Sequence, residues 1–145
     1  MLKNTLIFFK SLSISCVLVL MTAFMQPPLT QDEAIKLAET FVRENGYTSL
    51  LGDTSKLSYE LFDNEYTKAE ILKRRQNALH PKAFCISEAE NHWNIGFLST
   101  IIELDKLDSI QKETDLEGRA IIVSKDGENI RIAHKTPLFS LFKKL

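Results

Sequence analysis

Between Arg119 and Lys135 two runs of alternating apolar and polar residues flank the pair Asp126-Gly127. An Asp-Gly pair between alternating runs predicts a β-hairpin, so the chain must supply a further apolar layer to cover one face of an antiparallel sheet. The returning run sets His134 in step with Ile130 and Ile132, which aims a histidine toward the apolar side. That position suits either a base in a pocket or the end of a core.

The rest of the chain supplies the covering layer. Thr30-Gln31-Asp32-Glu33 is a capping box ahead of Ala34, Ile35, Leu37, Ala38, Phe41 and Val42, and Gly46 stands where that amphipathic helix should stop. A second box, Thr67-Lys68-Ala69-Glu70, predicts a helix to about Leu79 ahead of Pro81. Leu57, Tyr59 and Leu61 alternate with Ser58 and Glu60, which predicts a short strand. Further strands are expected over 82–87, 92–102, 119–125 and 129–135, with a short helix docked at 137–145. Helices early and strands late predict an α+β domain over residues 27–145, its helices packed on a curved, mostly antiparallel sheet.

Residues 1–26 differ in kind. A basic start is followed by an unbroken apolar run from Ser11 to Met25, the layout of an export signal or an uncleaved membrane anchor. The expected location is the cell envelope, either periplasmic or anchored by that segment. Lys3 and Lys10 are the only charged side chains there, so residues 27–145 carry 16 Lys and Arg against 19 Asp and Glu, a net charge of −3. This balance argues against nucleic acid, which requires a basic excess on one face. The one basic cluster, Lys73-Arg74-Arg75, is expected on a solvated helix face. Cys85 lies in an apolar run and is expected to act as a small hydrophobe.

Motifs for chemistry are missing. The chain has no nucleophile elbow, glycine-rich phosphate loop or zinc-ligand spacing, so no catalytic residue, cofactor or metal is assigned. His80 precedes Pro81 as a solvent-facing cap, and His92 faces out if Trp93 faces in. No spacing fixes a carboxylate beside His134, which a catalytic base would need. Trp93, His134 and Tyr59 are the candidate pocket residues. Between Glu103 and Glu117 acidic residues dominate a long connection, and Asp105, Asp108, Glu113 and Asp115 are the candidate contacts to a basic partner.

Four pieces in order, AIKLAETFVRENGY (34–47), HWNIGF (92–97), GRAIIVSKDGENIR (118–131) and His134, resemble bacterial immunity proteins with a nuclear-transport-factor-two-like fold, the YbbC and YhhH type. Three departures are the order Gly46-Tyr47, the length of 57–84 and the long, polar loop from Glu103 to Glu117. The resemblance implies a curved sheet wrapped by helices into a cone. It also implies a non-catalytic job, the neutralisation of a cognate protein toxin, with Trp93 and His134 on the cone's inner wall or mouth. Alternatives from other classes are a small-molecule or lipid-binding module and an enzyme that uses His134 as its base.

Overall fold

A computed structural model describes residues 27–105 and 116–145. Helix α1 (Gln31–Glu44) is followed by a 3-10 turn (Leu61–Asp63) and helix α2 (Lys68–Arg75). Then come strands β1 (Cys85–Glu88), β2 (His92–Leu98), β3 (Gly118–Ser124) and β4 (Ile130–Ile132), a second 3-10 turn (Phe139–Leu141) and β5 (Lys143–Lys144). The strands form one open antiparallel sheet in the order β4-β3-β2-β1-β5. The protein is therefore α+β.

The hairpin forms where the Asp-Gly pair predicts it. Gly127 adopts φ +77°, a conformation that costs a side-chain-bearing residue, and its N–H donates to the Ser124 carbonyl at 2.9 Å. The pairing opposes Ile121 to Ile132 and Val123 to Ile130. Both capping boxes are complete, with Thr30 paired to Glu33 and Thr67 to Glu70. Helix α1 buries Ala34, Ala38, Phe41 and Val42 against Trp93, Ile95 and Phe97 of β2 and Ile121 and Val123 of β3. The larger aliphatic and Phe side chains among them each contribute about 1.5–3 kcal/mol by leaving water, and the alanines less. At the hairpin end Leu29 closes the layer, its N–H donating to Lys125 O at 2.7 Å while its carbonyl accepts from Trp93 Nε1 at 3.2 Å.

The opposite face of the sheet holds a smaller cluster of Cys85, Leu98, Leu116 and Phe139. Cys85 is buried there as a strand residue. The tail docks, but as a 3-10 turn and a two-residue strand on β1 rather than a helix. Gly96 admits it, since a Cβ there would stand 2.5 Å from Cys85 Sγ and 2.8 Å from Phe139 Cε1.

Several expectations are corrected. Residues 57–61 pair with no strand, and their alternation breaks after Leu57, which is buried, because Ser58 and Glu60 are half-buried while Tyr59 and Leu61 are exposed. Helix α2 ends at Arg75, four residues early: Asn77 takes φ +59°, and Leu79 bridges to Ser99 and donates its N–H to Tyr47 O at 2.8 Å. His80 is not a solvent-facing cap, since its Nε2 lies 2.8 Å from the Ile102 carbonyl in a half-buried position.

Replacing Gly96 by Ala should lower stability by about 1–3 kcal/mol in urea unfolding. An unchanged midpoint would show that the tail is not packed against that strand.

Candidate functional site

Where β2 leaves the sheet and β3 enters it, a cleft of about 460 Å³ opens. One wall is the stretch from Glu60 to Asp63, which has no strand to hold it in place. It is held by side chains instead. Arg75, at the end of α2, forms a buried ion pair with Asp63 and donates from NH1 to the Ser58 carbonyl at 3.0 Å. The Arg75 guanidinium stacks over Tyr47, its Cζ 4.7 Å from the ring centre, and burial pushes the Tyr47 phenol well above its ordinary pKa despite that positive neighbour. Asn45 completes the anchor: its amide donates to Phe41 O at 3.0 Å, and its side-chain carbonyl accepts from the Ser58 N–H. Arg75 is thus a buried structural ion, not part of a solvated face.

The opposite wall comes from β3 and the residues after β4. Arg119 donates from NH1 to Gly118 O at 2.9 Å and to Thr136 Oγ1 at 3.1 Å. His134 lies past the end of β4 in a bend, with its side chain 58% exposed at the cleft's mouth, so it is not a core residue. Its Nδ1 stands 3.3 Å from Glu60 Oε2, and its ring meets Phe62 edge-on with centroids 5.3 Å apart. The Glu60 contact lacks hydrogen-bond alignment, and both Glu60 oxygens are buried without a partner. Burial, first, raises the Glu60 pKa above the usual carboxylate value, with Asp63 adding to the rise and His134, Arg75 and Arg119 opposing it.

The three pocket candidates therefore separate. His134 lines the cleft. Trp93 is 9% exposed in the core under α1, six residues along the strand direction from Ser99, roughly 20 Å away at the usual rise. Tyr59 is exposed and does not line the cleft. Glu60, Arg75 and Arg119 were not singled out from sequence. Nothing local in the sequence marks Glu60 or its meeting with His134, 74 residues further on.

The acidic connection leaves the sheet at this same place, since Ile101 on its entering side and Glu117 on its leaving side both line the cleft. Asp105 is exposed, while Asp108, Glu113 and Asp115 lie outside the described residues, as does the apolar N-terminal segment. Among the described residues no helix is long and apolar enough to cross a membrane, and no group of three or more His, Cys, Asp or Glu side chains is placed to hold a metal ion. No protein-family model, curated protein or solved structure matches the chain, so the site is read from its own geometry.

Two outcomes follow. Asp63→Ala strands the Arg75 charge in a buried position and should cost about 3–5 kcal/mol in urea unfolding, whereas Asp63→Ala with Arg75→Met should cost less than Asp63→Ala alone. For Glu60 the folded pKa is raised, so its contribution to stability is full below the unfolded carboxylate pKa and lost as pH rises through the folded one. Glu60→Gln should therefore gain stability relative to the parent at neutral pH, and the gain should shrink toward pH ~4, below the ordinary glutamate range. A difference that ignores pH would show that Glu60 is not desolvated.

Proposed function

We propose that the chain is an exported, non-catalytic binding protein of the immunity type, which neutralises a cognate protein toxin through the cleft and its rim. The observation that carries this reading is the rim. Ile101, 77% exposed, and Phe62, 49% exposed, line the cleft together with Arg74, against which the exposed Tyr66 ring packs. Exposed apolar side chains grouped around a polar centre are what a protein interface leaves bare in the free molecule. Arg74 lies 4.3 Å from the Tyr66 ring centre and 5.8 Å from that of Phe62, a pairing of the residue types that dominate binding hot spots. In this reading the cleft is the mouth of the nuclear-transport-factor-two-like cone, and the acidic connection between β2 and β3 steers a basic partner toward it.

A second reading has its own observation. The cleft's volume falls in the range of small-ligand sites, and Glu60 stands beside His134 as an orienting carboxylate stands beside a catalytic histidine. That reading requires turnover of, or stabilisation by, a small molecule that depends on His134.

The test is capture of a partner from the native cell envelope by the chain, at low and moderate salt. A single stoichiometric partner is expected. Phe62→Asp with Ile101→Asp should weaken it at least about tenfold, the scale of one lost hot spot. Neutralising Asp105, Asp108, Glu113 and Asp115 should slow association and flatten its salt dependence. Capture unaffected by both sets of changes would remove the cleft from the interface.

A further inference from the structure

The arginines of the cleft each have an acceptor or a π-face, although Arg75 Nε is itself left without one, whereas one carboxylate accepts no hydrogen bond at either oxygen. Arg75 is held by Asp63 and the Ser58 carbonyl, Arg119 by the Gly118 carbonyl and Thr136, and Arg74 by two aromatic faces beside Asp63. Each cation already has an acceptor or a π-face. Glu60 is different: both of its oxygens are buried and neither accepts a hydrogen bond. Its contact at 3.3 Å is to the imidazole of His134, which carries charge only when protonated. A buried carboxylate without donors is costly, and such a group in a folded protein calls for a completing partner. The cover over it is slight, because His134 and Phe62 are both largely exposed and touch each other by one ring edge.

The sign of the completing group follows from its neighbours. A second carboxylate here would stand beside both Glu60 and Asp63, whereas a cation would meet an acceptor pair that lacks donors. Glu117, exposed, also lines the cleft, and residues 27–145 carry a net charge of −3. These charges favour the approach of a cation. We propose that the cleft receives a basic side chain of the protein partner, a lysine ammonium or an arginine guanidinium, which donates to Glu60 and displaces His134 from it. The proposal rests on the reading of the chain as a partner-neutralising protein and names the chemistry that the partner brings.

The full chain is titrated with n-butylammonium, methylguanidinium and, at matched ionic strength, acetate, while the His134 imidazole signals are followed by NMR. One or both cations should move those signals saturably, with a dissociation constant on the order of 1–10 mM for so small a probe, and the stronger of the two identifies lysine or arginine as the better mimic. Glu60→Gln should abolish the response. His134→Ala, followed through the Phe62 ring signals, should keep it. No saturable response to either cation, saturation by acetate instead, or an undiminished response in Glu60→Gln overturns the proposal. Partner capture separates the two levels: a partner held equally well by the parent and by Glu60→Gln overturns the cation contact and leaves the immunity reading standing, and absence of any stoichiometric partner overturns that reading itself.

Discussion

The ion pair between Asp63 and Arg75 is the interaction on which the rest of the site depends. Residues 57–63 have no strand to pair with, so their backbone is held by what side chains reach it: Arg75 on the Ser58 carbonyl, Asn45 on the Ser58 N–H, and Asp63 on Arg75 itself. The same guanidinium stacks on Tyr47, whose carbonyl receives the Leu79 N–H. One buried charge thus ties the end of α2, the segment after α1 and the exit of the sheet into one frame. A well-packed apolar pair can match such an ion pair in stability, but it offers no hydrogen bonds to a bare backbone. Here those bonds are what set Glu60 and Phe62 on the cleft wall.

That frame brings features far apart in the chain to one end of the molecule. The hydrophobic core under α1 lies toward the hairpin, where Trp93 and Leu29 close it, and the charged cleft lies at the other end of the same strands. The division is physical. Alternation along β2 and β3 leaves Ile95, Phe97, Ile121 and Val123 with no polar duty, so polar groups gather where the strands end and backbone groups need new partners. The long acidic connection starts and finishes at that end. A partner that engages the rim therefore meets the cleft and the connection together, which joins electrostatic steering to an apolar contact.

Much of the scaffold was legible in the sequence because its determinants are local. A capping box needs four residues, and a hairpin needs an Asp-Gly pair between alternating runs, so α1, the start of α2 and the pairing of β3 with β4 followed directly. The inward face of Trp93 followed from period two. The site was mostly illegible, because it depends on contacts between distant segments. The Leu57-Tyr59-Leu61 alternation predicts a strand, but only Leu57 turns inward, since side-chain contacts and not a sheet orient that segment. Arg75 looked like one of three surface cations until Asp63 claimed it. His134 falls in step with Ile132 in the sequence, yet it lies past the strand's end, against a glutamate that no spacing indicates.

The claim at the centre of this account is that the cleft end of the sheet is where the partner sits. Hydrogen–deuterium exchange of the full chain, alone and with its captured partner, tests it most directly. The account predicts added protection over 58–63, 99–105 and 117–119, with α1 and the β3–β4 turn unchanged. Protection confined to α1 or to the outer face of β1 and β2, with the cleft segments exchanging as before, would contradict it.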